Sequence, residues 1–141
     1  MGTLPTIDDI RENFRFLGDW EDRYGYIIDL GNELPPYPEA FRDEAHKVRG
    51  CASQVWLHTR KEGEKLVFDA DSDAHIVRGL IVILLSLYSG KTAREILSSD
   101  AQSVLNELKL SDHLTSQRAN GLAAMVKRIQ DEAEIAANTQ V

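Results

Sequence analysis

An α+β fold, a short antiparallel sheet with helices packed around it, is predicted by the order of apolar patterns along the 141 residues. Two segments of helical period come first, a single hairpin pattern follows, and helical patterns fill the rest, so nothing alternates in the way a parallel sheet requires. The polar, glycine-containing stretch Arg60 to Glu64 joins two β-type runs as neighbours and makes that hairpin antiparallel.

Thr6 is placed to cap a first helix, in which Ile7, Ile10, Phe14 and Leu17 recur at spacings of three and four before Gly18 ends it. A second helix is expected from Asp19 to Leu34, with Trp20, Tyr24, Ile27 or Ile28, and Gly31 on one side, stopped by Pro35, Pro36 and Pro38. A short helical turn fits Glu39 to Ala45. Lys47 to Leu57 then loses the helical period and gains Val and Trp, which predicts strand. Ser53 to Thr59 and Lys65 to Ala70 form the hairpin, with Cys51 at its entrance. Asp71, Ser72 and Asp73 offer cap oxygens to a helix from Ala74 to Ser89, apolar on nearly every side and therefore the buried centre. Gly79 inside it costs about 1 kcal/mol relative to Ala in an exposed helix, which points to close packing against a strand. Two short helices follow, where Thr92 with Glu95 and Ser99 with Gln102 have capping-box spacing. A last helix begins near Thr115, with Leu122, Met125, Val126, Ile129, Ala133 and Ala136 as its apolar stripe and Lys127, Arg128, Asp131, Glu132 and Glu134 mostly toward solvent. The tail beyond Asn138 is expected to fray.

With 43% hydrophobic and 28% charged residues, the composition is that of a globular chain, read as a single domain over residues 1–141. The net charge of −7 lacks the basic stripe that phosphate recognition needs, so no nucleic-acid partner is expected. Residues 1–45 hold eleven Asp or Glu against four Arg, while the remainder holds twelve of each sign. Asp8, Asp9 and Glu12 arrive where a signal peptide would be basic and then apolar, and the run from Leu80 to Tyr88 is far short of the roughly 20 residues that span a bilayer. No membrane partner and a cytoplasmic location are the expectations.

One cysteine cannot form an internal disulfide, and a reducing compartment fits that count. His46, Lys47 and Arg49 precede Cys51 and would favour a thiolate if they lie close in space; ordinary surface solvation is the other reading. Gly50 gives the backbone freedom for another surface to approach, and Ser53 either donates a hydrogen bond to sulfur or is a plain strand-start hydroxyl. Trp56 reads as core. Cys51 and the four histidines show no zinc-type spacing, one thiolate is too few for a cluster, and no phosphate-binding glycine motif or nucleophile elbow is present. No metal is expected. His58 lies at odd separation from Cys51, so in a regular strand it faces the other way.

Val48-Arg49-Gly50-Cys51-Ala52-Ser53-Gln54-Val55-Trp56-Leu57 resembles the hallmark Val-x-Gly-Cys-x-Ser-x-Val-Trp of the SufE family of sulfur-acceptor proteins. The resemblance extends through Asp71-Ser72-Asp73-Ala74 with Ile76, Val77, Gly79 and Leu80, and through Leu114-Thr115 with Arg118, Gly121, Leu122 and Met125. It implies the α+β fold shared with IscU-type scaffolds (the SufE/NifU fold), and a Cys51 that accepts persulfide sulfur from a cysteine desulfurase, SufS-like or CsdA-like, and stimulates it. A downstream SufBCD-like scaffold would receive the sulfur for iron–sulfur cluster assembly. The pyridoxal phosphate belongs to the desulfurase, so this chain is expected to need no cofactor and to have no independent turnover, as a monomer or weak homodimer. Arg118 would stabilise sulfur anion or bind the partner, an ordinary helix-surface role being the alternative. Asp73 would steady the cysteine loop unless it only caps. The resemblance also suggests that the Gly50-Cys51 loop shelters sulfur against apolar residues and swings out on docking. Three other readings stay open: service as a CsdE-type acceptor to a paralogous desulfurase pathway, an enzyme using Cys51 as nucleophile, and an interaction module in which Cys51 is structural.

Overall fold

The computed structural model describes residues 4–139. Thr6 caps α1 (Ile7–Phe16) by accepting the Asp9 N–H at 3.1 Å, and Ile10 and Phe14 turn inward from that helix. Asp19 caps α2 (Trp20–Gly31) in the same manner. That helix stops before the predicted Leu34: Glu33 and Leu34 donate back to Leu30 and Gly31 as a closing turn. Pro35 explains the early end, since a following proline disfavours helical backbone at Leu34.

The sheet has the order β1-β2-β3. β1 (Val55–Glu62) pairs antiparallel with β2 (Lys65–Ser72), from Val55 opposite Ser72 to Glu62 opposite Lys65, around a tight turn at Gly63 with φ of 65°. β3 (Lys91–Thr92) adds to β2 at Lys65 and Leu66. Two residues are too few for any period, and the sequence gives no sign of this strand. The predicted strand before Val55 does not form either. Lys47 makes one isolated bridge to Trp56, and then Gly50, at φ of 90°, turns the chain out of the ladder.

α3 (His75–Tyr88) is the buried centre, with Gly79 to Leu85, Leu87 and Tyr88 all inaccessible. Its N-cap residue is Ala74, whose methyl cannot accept a capping bond, contrary to the expected capping by Asp71 to Asp73. Ser72 instead accepts from the Ala74 N–H, and Asp73 is turned to Gln54. Gly79 packs against a helix and not a strand: a Cβ there would lie 1.8 Å from the Ile27 carbonyl oxygen of α2. The missing side chain lets α2 and α3 touch backbone to backbone.

Thr92 and Glu95 close a full capping box on α4 (Ala93–Ser98). Ser99 and Gln102 form none. Asp100, one residue later, accepts from Ser103 N–H and caps α5 (Ala101–Glu107) with a carboxylate. A further turn, α6 (Leu110–His113), enters from Lys109 in left-handed backbone, φ 59°, so three short helices stand where two were expected. α7 (Ser116–Thr139) starts at Thr115, whose hydroxyl accepts the Arg118 N–H. Leu122, Met125, Ile129, Ala133 and Ala136 of its stripe are buried, but Arg128, Asp131 and Glu132, expected in solvent, are partly covered. Thr139 is still helical, and the remainder of the expected frayed tail, residues 140–141, lies outside the described residues. Among the described residues no helix is long and apolar enough to cross a membrane.

Candidate functional site

Cys51 lies on a loop whose two limbs are fixed to the sheet and the entry of α3. On one side Val48 N–H donates to Val55 O at 2.9 Å beside the Lys47–Trp56 bridge. On the other, Gln54 N–H donates to the Asp73 carboxylate at 3.1 Å, and Asp73 N–H returns a bond to Gln54 O at 3.3 Å. Asp73 is thus bonded to the loop at Gln54, and the N-cap position of α3 is Ala74. Between these anchors only residues 49–53 are left to turn.

The turn lies along α7. The Cys51 thiol points at the Gly121 carbonyl, 3.6 Å away, and a Cβ on Gly121 would sit 3.7 Å from the sulfur. Gly50 runs beside Ala124, where a Cβ on the loop would come within 3.3 Å of the alanine methyl. Arg118 Nη1 donates to Ser53 Oγ at 3.1 Å. Ser53 is thus bonded to Arg118, and no bond from its hydroxyl to the sulfur is present.

The sulfur opens on a cleft of about 170 Å³ with an apolar wall that includes Val55, Val77, Leu80, Leu122 and Met125 and a polar rim of Ser53, Gln117 and Arg118. Roughly 10–15 Å³ of such volume suffices for a water molecule, so one additional sulfur atom fits without displacing the wall. Burial pushes the Cys51 thiol above its ordinary pKa, the direction expected when a charged form loses water. The basic residues before it do not counter this. His46 is held by Asp43 at 2.7 Å, Lys47 by Glu44 at 3.1 Å, and Arg49 is 79% exposed and directed at Glu44. These acidic partners are the cap and the first residue of the short turn Glu44–His46, so their pairing with the basic residues is set by local backbone that charge order alone does not show.

His58 does face away: it stacks on Phe41 with centroids 3.8 Å apart and reaches Asp69 at 3.3 Å. Trp56 is buried, as expected of a core residue, with the Arg42 guanidinium 4.8 Å above its ring. Among the described residues no histidine or carboxylate lines the Cys51 cleft, and no group of three or more His, Cys, Asp or Glu would hold a metal ion. Arg128 is the contact that sequence reasoning missed. Its Nη1 donates to the Lys47 carbonyl at 2.9 Å, at the base of the loop. The arrangement offers a sheltered sulfur nucleophile with room for a second sulfur and one cation, Arg118, at the rim.

The family model for the SufE, Fe-S metabolism associated domain, matches residues 8–133. A SufE-like protein of Rhizobium meliloti strain 1021 is 50% identical over 135 residues, covering 93% of this chain and 96% of that one. Another SufE-like protein, of Rhizobium etli, is 50% identical over 138 residues, covering 95% and 93%. The solution structure of a hypothetical protein from Thermus thermophilus superposes with a TM-score of 0.76 over 97% of this chain and 99% of that one, at 22% identity, and so shares its fold.

Proposed function

We propose, from the premise that this chain belongs to the SufE family, whose domain is associated with iron–sulfur metabolism, that Cys51 is a transient carrier of persulfide sulfur. The donor is a pyridoxal-phosphate cysteine desulfurase, SufS-like or CsdA-like, that carries sulfur as a persulfide on its own cysteine. The Cys51 thiolate attacks the terminal sulfur of that persulfide. A sulfur–sulfur bond forms at Cys51 as the donor's breaks, and the donor cysteine leaves as a thiolate and takes up a proton, with no net oxidation. The sulfur then passes to an iron–sulfur scaffold.

The observation that carries this reading is the cleft: a lone thiol, half-buried, with free volume at its tip and an apolar wall around it. A persulfide oxidises readily and exchanges with stray thiols, so a carrier must shelter it between partners. The same burial raises the thiol pKa, so the free chain is a poor nucleophile until the loop leaves the cleft. An independent cysteine enzyme would need a base beside the sulfur, and the described cleft lining supplies no histidine or carboxylate for that role.

The test is intact mass after incubation with cysteine and the desulfurase of the same organism. The native chain gains the mass of one sulfur atom, which a reductant removes, and Cys51→Ser gains none. An unmodified native chain beside an active donor would overturn the proposal.

A further inference from the structure

The loop that carries Cys51 is measured out along one face of α7. Arg118, Gly121, Ala124 and Arg128 follow one another at spacings of three, three and four, the spacing of residues on one helix face. They meet Ser53, Cys51, Gly50 and Lys47 in turn, so the loop runs antiparallel to the helix and touches it once per turn. Three of these four contacts involve the segment that must move if the sulfur is to leave its cleft. The fourth does not.

We propose that Arg128 is a positioning residue for the sulfur-bearing loop: by holding the Lys47 carbonyl to α7 it fixes the point from which residues 49–53 turn, and so sets Cys51 against Gly121. The Lys47–Trp56 bridge and the Val48–Val55 bond tie the loop base to the sheet, but neither relates it to α7. Val48 shares a small apolar cavity with Met125 and Ile129 of α7, and Arg128 adds the directional bond that fixes the relation. It is braced in turn: its Nε lies 3.5 Å from Glu132, and Glu132 accepts the Thr59 hydroxyl of β1 at 2.7 Å. The chain Thr59, Glu132, Arg128, Lys47 thus locks strand, helix and loop base into one frame. The Arg128 side chain is 24% exposed, in keeping with a structural donor and unlike the neighbouring Lys127 at 76%.

The inference rests on the sulfur-carrier reading for its purpose alone, because the geometry belongs to the free chain and is tested there without any donor. The measured quantity is the rate of Cys51 alkylation by iodoacetamide as a function of pH. Among the described residues Arg118 is the charged one lining the cleft, and Lys47 and Arg49, which line the groove on the other side of Cys51, are engaged by Glu44, so a change in this profile reports the seating of the sulfur against α7. A charge-assisted bond to a carbonyl shifts a local open–closed equilibrium by roughly tenfold, so Arg128→Met should alkylate about tenfold faster than native, with its profile moved toward lower pH. Arg128→Lys, which keeps a donor, should restore part of the native profile. Ile10→Val, a buried change on α1, supplies a destabilised control that leaves the loop frame intact, and it should lower Tm while keeping the native profile.

Either of two results overturns the proposal: Arg128→Met with the native rate and profile, or Ile10→Val with a profile shifted as much as that of Arg128→Met at equal loss of Tm. Should Arg128→Met fail to fold, faster amide exchange at residues 49–53 in Arg128→Lys than in the native chain supports the proposal, and equal exchange overturns it.

Discussion

Gly50→Ala tests whether the sulfur site has a closed state distinct from its reactive one. Gly50 holds φ at 90°, and its missing Cβ would lie 3.3 Å from the Ala124 methyl. Left-handed backbone costs an L-residue roughly 1–2 kcal/mol, and the methyl contact requires a further shift of a few tenths of an ångström. Alanine also restricts the unfolded chain, which returns about 0.4–1 kcal/mol, so global stability should fall by only about 1 kcal/mol. If the swung-out loop can relax residue 50 to negative φ, the strain falls on the closed state alone and the open population rises roughly 5–30-fold. The assay is the second-order rate of maleimide labelling at fixed pH, read beside the thermal midpoint. An unchanged labelling rate with a lowered midpoint would refute the reasoning, since it would mean that Cys51 reacts from its seat or that the open loop keeps the same backbone.

Gly79→Ala drives a Cβ onto the Ile27 carbonyl, and because backbone cannot rotate aside, stability should fall by at least the upper part of the roughly 1–3 kcal/mol range for overpacking; an unshifted urea midpoint would contradict the α2–α3 contact. Asp73→Ala removes the acceptor for Gln54 N–H and should speed amide exchange there, whereas Asp73→Asn keeps an acceptor and retains most of the protection; native protection in Asp73→Ala would show that the carboxylate does not anchor the loop. The raised Cys51 pKa also has a sign that can be checked. The folded thiol holds its proton to higher pH than the unfolded one, so its contribution is complete below the unfolded pKa and is lost as pH rises through the folded one. Above pH ~8.5 the native chain should therefore lose stability relative to Cys51→Ala, and parallel stability curves would be the contrary result.

The sequence exposed what depends on pattern and concealed what depends on approach. α1, α3 and α7 are long and periodic, and Thr6, Asp19 and the Thr92–Glu95 box act where local chemistry places them. The two-residue β3 is recruited by the edge of β2 and leaves no period to read. Gly79 advertised a close contact without its partner, because a missing side chain says nothing of what fills the space. Of the residues singled out by one motif and two later blocks, Cys51, Ser53 and Arg118 line one cleft, Gly50 precedes Cys51 in the loop, and Asp73 is bonded to the loop at Gln54. Their bonds were not legible. Ser53 pairs with Arg118 across 65 residues, and Arg128 reaches Lys47 across 81, separations over which one sequence carries no spatial information.

The electrostatics of the loop are hidden from the sequence in the same way. Read in sequence, His46, Lys47 and Arg49 either favour a thiolate by lying close to it or form an ordinary solvated surface; in space each is engaged by Asp43 or Glu44, and burial is what raises the thiol pKa. A carrier with an activated thiolate in its resting state would react with oxidants and small thiols at every encounter. Under the carrier role proposed above, holding the thiol protonated in an apolar cleft would defer reactivity until residues 49–53 are drawn off α7, and docking of the donor would supply what the free chain withholds. On this reasoning a variant that lowers the resting pKa without opening the loop, such as Gln117→Lys on the exposed cleft rim, should gain reactivity toward small oxidants without a matching gain in sulfur uptake from the desulfurase. Equal gains in the two rates would show that thiolate supply, and not release of the loop, limits transfer.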